Sequence, residues 1–579
     1  MKTSSFARSA RSPGFLDSFS PAFAKVLSPR SKCRYQRPMP NALYYGDNLE
    51  VLRKHVTAES VDLIYLDPPF NSNQDYNVLF KEQSGDPAHA QMQAFTDTWV
   101  WSEKLFSDFC DTCPNQLLVD LMQGFVKTLG RNDVTAYLVM MAPRLVELHT
   151  VLKSTGSLYL HCDPAASHAL KLVMDCIFGP MQFGTEIIWK RTNARSTAEN
   201  WPHLHDTILY YKKSAKFHFQ ATKILADKAK MPHTLITGSD GLKYQTFELT
   251  GPGLTKKGES GKAWRGFDPA AFGRHWANNH AQMEEWAAEG LIHFPKNGGF
   301  PRRRDDKPYS HDDRFVTVGD VWTDIDRLNQ TAKERLGYPT QKPVALLERI
   351  LAASSKKGDV VLDPFCGCGT AVVAAQKLRR KWIGIDITHL AIALIKYRLA
   401  DSFRLKEHKD YDVIGEPTTA EGAQALALQD RDEFQKWAVG LIPRAFPCQT
   451  KKGADSGIDG ILRFRDDPRA DAKRCVIQVK SGKLTLSAVR DFAHVIDREN
   501  ATLGFFITLE PPSKPMQLSA DALGFYTTPL GNRKIARFQI RTVEHLLGGV
   551  SFDIPQTAEF TGVKTAENIE PGDEQIGLL

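Results

Sequence analysis

The chain has 579 residues, too many for one ordinary domain, so two or three folded units are expected. Hydrophobic residues make up 42% and charged residues 24%, which excludes a disordered or fibrous chain, and no apolar run reaches membrane-spanning length. A net charge of +7 permits a polyanionic partner without requiring one, and nine scattered cysteines fit a reducing, cytoplasmic setting.

Residues 1–40 are rich in Ser, Arg and Pro and poor in acids, the composition of a flexible basic tail. Val61–Leu66 is a short apolar run suited to a buried parallel strand, and it stops at Asp67-Pro68-Pro69-Phe70. Cys110 and Cys113 form a lone CxxC. Two thiols make half a zinc site, so they are read as ordinary reduced cysteines. Tyr137–Leu152 has helical periodicity, Gly156–Cys162 reads as a strand, and a helix follows through His168–Phe178. Glu186–Lys190 and Thr207–Tyr211 are further strand candidates.

Over residues 215–335 the periodicity fades into alternating Lys, Arg, Trp, His and Gly, as in Lys256-Lys257, Trp264-Arg265, Gly273–Trp276 and Pro301–Arg304. Strand–turn–helix order returns at Val360–Asp363, Gly367–Thr370 and the helix through Leu378, followed by a strand at Trp382–Asp386. Such alternation predicts a doubly wound α/β sheet. Residues 406–430 read as a connector, 431–550 as a second, smaller α/β domain, and 551–579 as a tail. No GxxxxGK[ST] loop for ATP is present.

Two motifs carry chemistry. Asp363-Pro-Phe365-Cys-Gly367-Cys-Gly369-Thr370 joins a strand to a helix, where doubly wound sheets bind ligands. Its glycines let backbone approach a ligand closely, and Asp363 can hold a cationic amine. Asp386 ends the next strand, where an acid commonly takes ribose hydroxyls. The full GxGxxG run is missing, which disfavours a dinucleotide. Asp67–Phe70 stands at a second strand tip, its backbone fixed by adjacent prolines.

At these residues the chain resembles the DNA amino-methyltransferases, in the subgroup whose catalytic motif precedes the cofactor motif. The likeness spans residues 41–405. It includes Asp67–Phe70, Ser157–His161, Glu186–Trp189, Tyr338–Pro343, Asp363–Thr370 and Gly384–Asp386. The resemblance implies a Rossmann-like sheet binding S-adenosylmethionine, with Asp363, Phe365, Gly367, Gly369, Thr370 and Asp386 around the cofactor and Gln341 and Lys342 at its methionine end. It also implies that Asp67 and the Pro68 carbonyl accept hydrogen bonds from an exocyclic base amine, that Pro69 completes the rigid turn, and that Phe70 stacks on a base flipped out of double-stranded DNA. The Asp-first form leans towards adenine N6, with cytosine N4 as the alternative. The basic–aromatic stretch at 215–335 is then expected to read DNA, its Arg and Lys residues contacting phosphates.

In the C-terminal part, Asp459 precedes a strand carrying Gln478 and Lys480, which puts three polar groups on one side. This segment resembles the Mrr-like branch of PD-(D/E)xK restriction endonucleases, with Gln in place of the second acid. The resemblance implies Asp459 as a Mg²⁺ ligand and Lys480 as the group acting on the attacking water, and Glu433 could add a ligand. The expected protein is a restriction–modification enzyme acting on double-stranded DNA, away from membranes, with a homodimer left open. Its rivals are a solitary methyltransferase whose C-terminal domain only grips DNA, and a modification-dependent nuclease whose N-terminal part merely reads bases.

Overall fold

The computed structural model describes residues 41–69, 75–81, 87–96, 101–193, 200–225, 235–255, 258–296, 298–309, 315–329, 332–336, 338, 340–448, 457–467, 469–555, 559–560 and 569. Phe70, Lys256-Lys257 and residues 453–456 fall outside that set. The chain divides into two compact units, residues 221–318 (with 576–579) and the remainder.

The larger unit contains a nine-stranded sheet. In chain order its strands are β1 (Ala42–Tyr45), β2 (Val61–Leu66), β3 (Leu152–Cys162), β4 (Phe183–Lys190), β5 (His205–Lys212), β6 (Val321–Trp322), β7 (Val360–Asp363), β8 (Lys381–Asp386) and β9 (Asp412–Ile414). They lie in the order β6-β4-β5-β3-β2-β7-β8-β1-β9. Strand β5 runs antiparallel to both its neighbours, and every other pair is parallel. Parallel strands covered on both faces must be apolar throughout, and Leu63, Ile64, Leu66, Leu362 and Ile385 are fully buried.

Several helices begin at side-chain caps. Asp47 accepts from the N–H groups of Leu49 and Glu50 to start α1 (Asn48–His55), and Asn132 and Thr135 form a capping box at α2 (Asp133–Val151). The others on this sheet are α3 (Pro164–Phe178), α4 (Val344–Ser354), α5 (Thr370–Lys377) and α6 (His389–Phe403). The decisive consequence is topological. Strands β2, β7, β8 and β1 are parallel neighbours, so their carboxyl ends share one edge of the sheet.

The region expected to be a connector is folded. Residues 412–414 supply the ninth strand, and Ala420–Gln429 forms helix α7. The small-residue run there is rich in Ala, the strongest helix former, and Thr419 caps it. Helix α8 (Arg431–Gly440) follows, then β10 (Phe446–Pro447), β11 (Gly460–Arg465), β12 (Lys473–Lys480), α9 (Leu486–Arg498), β13 (Leu503–Thr508) and β14 (Phe538–Thr542). These five strands lie in chain order in a second sheet, with β12, β13 and β14 parallel, and Glu559–Phe560 pairs with β11. Phe505 and Phe464 lie in one of its cores, and Phe492, Phe506 and Phe538 in the other.

Among its described residues, the 221–318 unit is built from short strands and one α-helix, His280–Ala288, around Leu249, Trp264, Trp276 and Met283. The Arg302–Arg304 run, expected to contact phosphates, has partners within the unit. Arg302 Nε donates to Thr246, Arg303 lies over Trp286 at 4.8 Å, and Arg304 lies over Tyr244 at 4.2 Å. Arg265 and Arg274 pair with Glu284 and Glu248. With a core this small, guanidinium stacking on aromatic rings replaces part of the missing apolar packing.

Candidate active sites

Strand β7 delivers Asp363, and β8, one position across, delivers Asp386; Asp363 is registered against Gly384. Asp363 is 4% exposed and accepts from the Phe365 N–H at 3.1 Å. Burial drives its carboxyl well above the usual carboxylate range, and the nearby negative charges of Asp67 and Asp386 push it the same way. Asp386 receives the Gly367 N–H at 2.9 Å on one oxygen and both the N–H and hydroxyl of Thr388 on the other. Burial raises it too, against the pull of those hydrogen bonds.

The turn between them needs its glycines. Gly367 has φ +49° and Gly369 φ +76°, conformations that L side chains rarely adopt. A Cβ on Gly369 would come 2.7 Å from Ile395 of α6, so this residue serves close packing and the start of α5. It is absent from the cavity wall, where Phe365, Gly367 and Thr370 are present.

Asp67 emerges from β2 beside them. The Lys342 amine meets its Oδ2 at 2.5 Å, in a pair mostly sealed from solvent. The lysine expected at the methionine end of a cofactor is thus held on the carboxylate expected to take the target amine. Gln341 lines the same cavity, but its amide is committed to the backbone, donating to Glu334 O at 2.7 Å and accepting from Leu336 N at 2.8 Å. It ties itself to Glu334 and Leu336.

Behind Asp67 lies a buried chain that the motif reading contained only in part. The Tyr65 hydroxyl is 2.9 Å from His161 Nδ1, and His161 Nε2 is 3.1 Å from Asp206 Oδ2. The chain runs from β2 through β3 to β5 and gives the strand that carries Asp67 a polar anchor inside the sheet.

Asp67, Asp363 and Asp386 open into one cavity of about 1680 Å³. Asp67, Pro68, Pro69, Asp363 and Asp386 line it, and so do Asp459, Gln478 and Lys480 of the second sheet. Asp459 is 8% exposed and its Oδ2 accepts from the Val479 N–H at 2.7 Å, which points the hairpin acid at strand β12. Among the described residues no cluster of three or more His, Cys, Asp or Glu is arranged to hold a metal. Cys110 and Cys113 are free thiols, raised by burial.

The sequence reading missed Tyr45, Gly46, Asp47 and Asn48, which stand in the same wall at the end of β1. Asn48 donates to Pro364 O at 2.8 Å, while Arg144 grips Asn48 and Asp47. Their signal was available: a short apolar strand, then Gly and an acid, the same grammar as at Asp67 and Asp363. Tyr338, packed over Gly367, lies in the Tyr338–Pro343 segment that carries the resemblance, though no role was assigned to it there.

A family model described as DNA methylase matches residues 61–396, and one described as restriction endonuclease matches 419–523. The type II methyltransferase M.EcaI of Enterobacter cloacae is 29% identical, covering 62% of this chain and 70% of its own length. The Mod subunit of the type III restriction-modification enzyme StyLTI of Salmonella typhimurium is 29% identical, covering 59% and 50%. The DNA adenine methyltransferase YhdJ of Escherichia coli is 25% identical, covering 63% and 85%. A solved putative DNA modification methylase from Thermus thermophilus aligns at 15% identity over 65% of this chain and the whole of its own, with a TM-score of 0.31.

Proposed function

The chain belongs to the DNA methylase family, and from that premise we propose that it transfers a methyl group from S-adenosylmethionine to an exocyclic amine of a DNA base. The observation that carries this is the joint placement of Asp67, Asp363 and Asp386 on adjacent strand ends of one cavity. The donor carries an ammonium group and a sulfonium methyl. Asp363 fits the first, because a buried carboxylate pushed towards its neutral form regains its charge when a cation arrives. Asp386 fits the ribose, and the backbone at Gly367 leaves room for close approach.

Asp67 and the Pro68 carbonyl accept the N–H groups of the target amine and orient its lone pair towards the methyl group. Lys342 holds Asp67 in place for that contact. The Pro68-Pro69 turn keeps the two acceptors rigid. Adenine N6 is the favoured target, on the Asp-first motif and on the relative named as an adenine methyltransferase. Methylation with labelled donor, followed by sequencing of modified bases in DNA from expressing cells, tests this reading and reports base and site together.

The second sheet supports a Mg²⁺-dependent endonuclease in the same cytoplasmic restriction–modification protein, with Asp459 as the charged ligand and Lys480 acting on the attacking water. Gln478 brings no charge, and this favours a second reading in which the domain grips DNA without cutting it. Cleavage assays with Mg²⁺ and Mn²⁺ on methylated, hemimethylated and unmethylated DNA separate the two.

A further inference from the structure

The endonuclease match begins at residue 419, yet its first helices stand in the wall of the cavity onto which the methylase acids open. Leu426 and Gln429 of α7 and Glu433 of α8 line it together with Asp386, Ile387 and Thr388. The join is specific at Tyr45. This residue ends β1 in register with Asp386, and the Gly46 N–H that follows donates to Asp386 O at 2.9 Å. Its ring stacks on the His389 imidazole, with centroids 3.7 Å apart and planes inclined by 16°. Its hydroxyl donates to Glu433 Oε2 at 3.4 Å.

The surroundings fix both partners. His389 Nδ1 lies 3.2 Å from Glu416, which also takes the Lys396 amine at 3.2 Å. Glu433 Oε1 accepts from Lys436 at 2.7 Å. Burial and the adjacent Glu433 charge raise the Tyr45 hydroxyl, so it keeps its proton and remains the donor. Glu433, expected to add a metal ligand, thus has one oxygen on Lys436 and the other on a methylase tyrosine.

We propose that Glu433 is a positioning residue of the methyl-donor site: a carboxylate of the endonuclease domain that holds Tyr45 in place beside Asp386. The proposal rests on reading this cavity as the donor site. A ring already fixed in one orientation loses less freedom when a ligand arrives, and that saving appears as affinity. Tyr45 stands three strand positions from β2, roughly 14 Å at the usual spacing, so releasing it changes donor binding and not the transfer step at Asp67.

The test uses the full chain with Glu433→Gln, Tyr45→Phe and the double variant. Each single variant raises the S-adenosylmethionine dissociation constant, read by calorimetry, about three- to tenfold, the range of one ordinary hydrogen bond. The rate of methylation at saturating donor holds, and the double variant is no weaker than either single one, because both remove the same contact. Asp363→Ala is the control for the underlying reading: if it leaves donor affinity untouched, the donor site itself is misplaced. Unchanged affinity in both single variants, or losses that add in the double variant, overturns the Glu433 proposal. So does loss of Mg²⁺-dependent cleavage in Glu433→Gln with donor affinity intact, which makes Glu433 a metal ligand after all.

Discussion

At the carboxyl edge of the large sheet three acids, Asp67, Asp363 and Asp386, stand on neighbouring strand ends, whereas in the small sheet Asp459 is accompanied by the neutral Gln478 and by Lys480. Lys342 answers one of the three large-sheet carboxylates directly. Asp363 is instead buried and Asp386 half-buried; both are held by N–H donors, Asp386 by a hydroxyl as well, and both are raised. That edge stores an electrostatic deficit that a cationic, hydroxyl-bearing ligand removes. In the small sheet the one acid, Asp459, accepts the Val479 N–H of the next strand, and Lys480 lines the same cavity. A site strained by its own charge suits a cation of defined shape, while a single acid beside a neutral amide offers a metal little charge.

The largest effect is expected at Asp363. Asp363→Ala is expected to cost about 2–5 kcal/mol of donor affinity, because it strips a buried charge of its partner. Calorimetry showing unchanged binding would remove the deficit argument altogether. Asp67→Ala separates chemistry from binding: methyl transfer should fall by roughly 10²- to 10³-fold while donor affinity stays near wild type. Filter-bound label from S-adenosylmethionine measures the first and calorimetry the second.

At the small sheet, Asp459→Ala should abolish Mg²⁺-dependent cleavage and leave methylation intact, since Asp459 precedes a strand of the second sheet and is not among the groups assigned to the donor or the target amine. A variant that cuts like wild type places the metal elsewhere. Gln478→Glu sharpens the same contrast in the opposite direction by supplying the missing charge. It should lower the Mg²⁺ concentration for half-maximal cleavage by about tenfold, and an unchanged requirement shows that residue 478 does not face the ion.

The smallest effect concerns stability. A carboxyl raised in the folded state is ionised more readily in the unfolded chain, so the ligand-free protein loses stability as pH climbs from about 4 towards the folded value. Asp363→Asn removes that loss. Its melting temperature without donor should exceed wild type at pH 7, by a margin that shrinks towards pH 5, even as donor binding weakens. A thermal-shift series with and without S-adenosylmethionine reads both.

The amino-acid sequence by itself determined the methylase sheet and its acids. Apolar runs of four to six residues ending in Asp are legible because a strand buried on both faces admits little else, and Val360–Asp363 begins and ends where the motif reading placed it. Asp459, Gln478 and Lys480 were legible as a period-two pattern on β12 beside a turn acid. Tertiary structure alone decided the rest. It placed Lys342 on Asp67 across 275 residues, turned Arg303 and Arg304 onto aromatic rings, and folded residues 412–429 into a strand and a helix. It also brought Glu433 to Tyr45, separated by 388 residues. Charges on long side chains have no period to read, and their partners are chosen by which strands and helices happen to be neighbours, a matter of topology that no local pattern encodes.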